Sequence, residues 1–193
     1  YLLVVVEFGG TLVMKNDLSD DSSGVILNVV GNVLVQGEMI FRGATIVCKH
    51  LTVTGHLNGD NIIAGVGPGT PASSRYGGSS HGGTGAGRFA KTFPNIIYGS
   101  ISRPRLFGSR NQRNTNKGGG ALRIVASGSV VVENGGSITA NGGGGYHGSY
   151  EGGASGGSLL IETPILKLGG MVSANGGDTS AVGRSQSGGG GGG

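Results

Sequence analysis

The chain has 193 residues, 45 of them glycine, with 12% charged residues, no tryptophan and a formal net charge of +4. Five prolines and no Gly-X-Y period exclude a collagen helix. Compact apolar runs such as Leu2-Leu3-Val4-Val5-Val6 exclude a dispersed, disordered tract, and no run reaches the roughly 18 residues of a membrane span.

Residues 1–64 read as closely spaced strands. Tyr1–Phe8, Thr11–Met14, Val25–Val30, Val33–Gln36, Met39–Arg42, Ala44–Cys48, Leu51–Thr54 and His56–Asn58 are rich in β-branched residues. Most of their breaks are one or two residues long and centre on glycine. Residues 15–24 interrupt the series; Asp17, Asp20 and Asp21 lack EF-hand spacing and read as a solvated loop. Hairpins want Asn-Gly or Gly-Asp at each reversal. A lone glycine suits a bend between strands that keep winding the same way. Cys48, the single cysteine, alternates with Ile46 and reads as a small buried hydrophobe.

Residues 65–120 form a basic, glycine-rich excursion. From Asn61 to Val132 there is no acidic residue, and nine of the 14 Lys and Arg lie there, interleaved with Tyr76, Phe89, Phe93, Tyr98 and Phe107. The candidate ligand-binding set is Arg75, Tyr76, His81, Arg88, Arg103, Arg105, Arg110 and Arg113, and its ligand class is an anionic glycan. No recognisable nucleic-acid module accompanies it. The competing expectation is an excursion packed down with its aromatics tucked in and its arginines solvated or capping carbonyls. His81 stands in Gly77-Gly78-Ser79-Ser80-His81-Gly82-Gly83, which predicts an imidazole held at a tight crossing of backbone. It shares no metal-ligand spacing with His50, His56 or His147, so no metal is expected. Gly83-Thr84-Gly85-Ala86-Gly87 lacks the Gly-Lys-Ser/Thr of a phosphate loop.

Residues 121–193 carry the clearest repeats. Leu122–Val125, Ser129–Glu133 and Ser137–Ala140 are predicted strands, followed by Asn141-Gly142-Gly143. Thr45–Gly59 and Leu159–Gly177 share this order of strand, bend, strand, glycine, short strand, Asn-Gly; Val33–Arg42 is a weaker copy. The pattern predicts an all-β chain, a parallel β-solenoid over residues 1–193. Each coil would hold two or three short strands stacked in parallel on the next. Asn-Gly-Gly is expected to supply positive φ for turning. The glycine-rich loops at 65–120, 142–158 and 176–193 are expected to leave the coil and return, some as closely stacked backbone bonded to a neighbour. The single segment thus divides into strand-dense coils (1–64), the excursion (65–120) and repeat coils with glycine-rich loops (121–193). The chain opens within a strand and ends in Gly188–Gly193, which predicts a piece of a longer polypeptide.

Tyr76–Gly85, Tyr98–Ser100, Arg103-Pro104, Phe107–Ser109 and Gly118–Gly143 together resemble the glycine-rich β-helix repeats of very large secreted and cell-surface proteins, over roughly residues 44–193. The resemblance implies a right-handed parallel β-helix with extracellular, structural or adhesive roles, fibrous surface appendages among them, and no catalytic residue to carry over. The expected function is therefore a building block of a filament, matrix or appendage at the cell surface or outside the cell. Its partners would be other copies or neighbouring segments joined end to end, and no cofactor is expected. Two alternatives stand beside it. One is a glycan-binding adhesin using the basic set. The other is a polysaccharide lyase or hydrolase, which needs clustered carboxylates. Glu7, Glu38, Asp60, Glu133, Glu151, Glu162 and Asp178 are scattered, so the chain is not expected to be an enzyme.

Overall fold

The computed structural model describes residues 3–14, 24–63, 65, 67–71, 78–85, 96–100, 102–111, 115–144 and 152–178. The chain is all-β, built on parallel sheets, with no helix among the described residues; none is therefore long and apolar enough to cross a membrane. It divides into two compact units, residues 1–59 with 122–139 and 159–173, and residues 60–121 with 140–158 and 174–193.

In the first unit the chain passes repeatedly across two sheets. One holds β1 (Leu3–Val6), β3 (Val25–Asn28), β4 (Asn32–Val35), β6 (Gly43–Val53), β8 (Ala121–Val132), β10 (Ser158–Glu162) and β11 (Ile165–Leu168). Its order is β1-β4-β6-β8-β10, with β3 beside β6 and β11 beside β8. The other runs β12 (Met171–Ser173), β9 (Ser137–Thr139), β7 (His56–Asn58), β5 (Glu38–Phe41) and β2 (Thr11–Met14). Each pass lays strand in the first sheet, turns, and lays a short strand in the second.

Period-two alternation builds the core. Val33 and Val35 of β4 stand in parallel register with Leu51 and Val53 of β6. Met39 of β5 faces Leu57 of β7, which faces Ile138 of β9. All seven are fully buried or nearly so, and each contributes roughly 1.5–3 kcal/mol by leaving water. Two expected breaks are absent. β6 runs on through Lys49 and His50, and β8 through Ser127 and Gly128, whereas β3 and β4 part at Val29–Gly31 and β10 and β11 part at Thr163-Pro164. Pro164 has no N–H to give a ladder, so the strand must stop there.

The corner between the sheets explains one set of glycines. Gly10, Gly37, Gly55, Gly136 and Gly170 fall one to a pass. Gly10, Gly37, Gly55 and Gly136 accept, in turn, from the Glu38, His56, Ser137 and Met171 amides at 2.9–3.0 Å. A Cβ on Gly37, Gly55 or Gly170 would run into the carbonyl of the glycine one pass earlier. Two of these corners are the same turn. Glu7-Phe8-Gly9-Gly10 and Glu133-Asn134-Gly135-Gly136 each close a 2.9 Å bond from the fourth residue's amide to the glutamate carbonyl. Their third residues have φ of +78° and +88°, the type II turn that calls for glycine there.

The second unit is built differently. Residues 152–158, Gly-Gly-Ala-Ser-Gly-Gly-Ser, are all buried yet carry no β-ladder before Ser158. Their bonds recur every third residue. Ala154 and Gly157 donate to the Gly143 and Ala140 carbonyls at 2.9 and 2.7 Å. Ser155 and Ser158 donate to Ser109 and Gly120, both at 3.0 Å. The Gly153 carbonyl accepts from the Ser79 amide, and Gly156 from the His81 ring. A pleated strand bonds in two directions; this one bonds in three, as an extended helix with three residues per turn can. Its backbone packs on backbone, which leaves no room for a side chain at its paired glycines: a Cβ on Gly156 or Gly157 would enter the Ala174 or Gly120 carbonyl.

Asparagines tie these segments together. Asp60 accepts the Asn141 amide at 2.6 Å, and Asn141 Oδ1 accepts the Asn175 amide at 2.8 Å. The glycines after Asn141 therefore do not serve the expected turn: Gly142 and Gly143 lack positive φ and instead admit close backbone and side-chain neighbours, Ala154 and Asn61. Asn61 itself takes φ of 49°.

Candidate functional site

Of the basic set, Arg75, Tyr76, Arg88 and Arg113 lie outside the described residues, as do Asp17, Asp20 and Asp21. Arg103 and Arg105 are exposed. Arg110 is half-buried, and its guanidinium Nε is enclosed without a hydrogen-bond partner. Its carbonyl accepts from the Ser79 and Thr70 hydroxyls at 2.6 and 3.1 Å.

His81 is 2% exposed. Its Nδ1 lies 2.9 Å from the Gly156 carbonyl. A carbonyl can only accept, so Nδ1 carries the proton and Nε2 of the neutral ring offers a lone pair. Nε2 is buried and unpartnered, and a Cβ on Gly99, where φ is +104°, would come within 3.1 Å of it. The imidazole thus sits at a crossing of glycine backbones. Tyr98 tilts against it at 4.6 Å between centroids, its hydroxyl donating to Phe107 O at 2.6 Å and sharing a 2.7 Å bond with Ser109. Burial lowers the His81 pKa from 6.5, against bonds to the Gly156 and Gly157 backbone that act the other way. Burial likewise raises the Tyr98 hydroxyl. Both groups are held neutral in a polar, water-poor cluster. The Ser109 amide donates to Ser155 Oγ at 2.7 Å and completes the cluster; Tyr98, Ser109 and Ser155 are not legible as its members in the sequence, because only the fold brings three separate glycine-rich segments together.

The first unit carries a shallow groove of about 560 Å³ at the corner between its sheets. Its floor includes Gly10, Gly37 and Gly55, and Phe8, Thr11, Gln36, Glu38, Thr54 and His56 stand around it. Thr11, Glu38 and His56 occupy one register position on successive passes. Glu38 accepts from Asn58 Nδ2 at 2.7 Å, and His56 Nδ1 pairs with Ser137 Oγ at 2.9 Å. That His–Ser pair looks like the start of a nucleophile, but His50 and Ser129 repeat it at 2.8 Å between the same two passes. The repetition marks a cross-pass link. Cys48 is free and buried, and burial raises its pKa. No group of three or more His, Cys, Asp or Glu able to hold a metal occurs among the described residues.

No family model, curated protein or solved structure matches the chain.

Proposed function

We propose that the first unit is a right-handed parallel β-helix and that the protein is a building block of an extracellular filament, matrix or appendage, joined end to end with other copies. Passes that feed parallel strands from one sheet to the next support the helix, and such crossovers are right-handed in about 98% of cases. The observation that carries the assembly is an uncapped core. Leu166 and Leu168 stand in register with Val130 and Val132. The two valines are 0% exposed, whereas the two leucines are 46% and 53% exposed. Inward-type residues are thus exposed on β11, at one edge of its sheet among the described strands, beside the exposed Ile165 and Met171. Another pass with apolar residues at the same positions would cover them, and its backbone would satisfy the open strand edge. The extracellular setting rests on the resemblance of the glycine-rich repeats to secreted proteins.

The test is assembly against concentration. The chain should elongate with concentration, and Leu166→Lys with Leu168→Lys should abolish elongation while leaving the far-UV spectrum unchanged. Monodisperse particles of the unaltered chain at every concentration would defeat the reading. A second reading, an anionic-glycan adhesin, draws on the exposure of Arg103 and Arg105. It requires heparin binding that Arg103→Ala and Arg105→Ala weaken together.

A further inference from the structure

Phe8 is 92% exposed, the most exposed large apolar residue among the described residues. The turn does not explain it, because the same turn carries Asn134 at the corresponding position. Packing does not explain it either, since the ring is in water. What the ring does adjoin is the corner groove.

We propose that this groove binds an uncharged oligosaccharide laid across the passes, with one sugar ring stacked on Phe8. Three features point to that chemistry. First, Gly9, Gly10, Gly37 and Gly55 are among its lining residues, so main-chain groups border the groove between the polar side chains. Second, the polar groups are preset: Asn58 holds Glu38 and Ser137 holds His56, which lowers the ordering cost of binding. Successive passes offer such groups about 4.8 Å apart, close to the span of a pyranose ring, so hydroxyls on neighbouring sugars meet neighbouring passes. Third, no lysine or arginine lines the groove, and Glu38 does. A carboxylate without a basic partner repels sulfated and uronic sugars but accepts hydroxyl hydrogen bonds well. An aromatic face for the C–H side of a sugar beside carboxylate, carboxamide, hydroxyl and imidazole groups is a set suited to a neutral glycan. The groove is lined by residues of the first unit alone.

The test is an amide-resolved NMR titration of the full chain with soluble linear gluco-, manno- and xylo-hexasaccharides, and with a heparin hexasaccharide as the anionic arm. At least one neutral hexasaccharide should shift the Gly9, Gly37 and Gly55 amides saturably. Phe8→Ala should raise its Kd about tenfold, or 1.4 kcal/mol, with the remaining amide spectrum retained. Glu38→Gln should weaken it less. The proposal is overturned if no neutral hexasaccharide moves these amides at millimolar concentration, if only the heparin fragment does, or if Phe8→Ala leaves the neutral response unchanged.

Discussion

At the residue scale, glycine has two separable jobs in this chain. Gly135 is required for its φ of +88°, with nothing within 4 Å of a would-be Cβ. Gly55 is required for space, because its Cβ would enter the Gly37 carbonyl. Gly135→Ala should therefore cost about 1 kcal/mol, the left-handed penalty alone, and Gly55→Ala about 3 kcal/mol through overpacking. Chemical denaturation of both variants checks the order, and equal losses would contradict it. His81 supplies a second residue-scale prediction. Its folded pKa lies below 6.5, so over the interval beneath that value the unfolded chain binds the extra proton and the folded chain does not. Stability is then full above pH 6.5 and falls as pH drops through the folded pKa. Denaturation measured across acid pH should show a steeper loss in the unaltered chain than in His81→Gln. Neither job of glycine could be told from the other in the sequence, since Gly135 and Gly136 are adjacent and identical, yet one turns the chain and the other lets it pass close.

At the element scale, the strands were largely legible and the glycine-rich core was not. Thr11–Met14 and His56–Asn58 stand as expected strands: each follows directly on a glycine, Gly10 or Gly55, and carries apolar residues that must be buried. The bends expected within residues 44–54 and 122–133 failed to appear: Lys49-His50 and Ser127-Gly128 resemble turn punctuation but keep their ladder bonds. Residues 152–158 carry no apolar periodicity at all, so sequence pattern marks them as a loop leaving the coil and allows closely stacked backbone only as a general expectation, without naming the partners. Their order comes from main-chain bonds to segments far apart in sequence, a signal that composition cannot carry. Amide exchange tests this directly. The Ala154, Ser155 and Gly157 amides should exchange as slowly as buried ladder amides of the first unit such as Leu51 and Val53, despite lying outside any pleated strand. Exchange at the rate of free peptide would remove the three-direction bonding from the account.

At the scale of the whole molecule, the end-to-end assembly we propose would join the two outer edges of the first unit. β1 and β2 lie at one end of the sheet orders, and β10, β11 and β12 at the other. The two ends carry different residues, so a contact between them is head-to-tail, and a head-to-tail contact that does not close a ring continues as a fibre. Apolar exposure occurs at both: Leu3, Leu12 and Val13 at one end, Leu166, Leu168 and Met171 at the other. Joining them would extend the ladder of each sheet without changing its direction. Fibres grown this way have strands across their axis and should diffract along that axis at about 4.8 Å, the spacing between neighbouring strands. The formal charge of +4 on each copy opposes close approach, so elongation should quicken as salt shortens the screening length. Fibres with no such axial reflection, or elongation that slows with added salt, would show that the copies meet by some surface other than these edges.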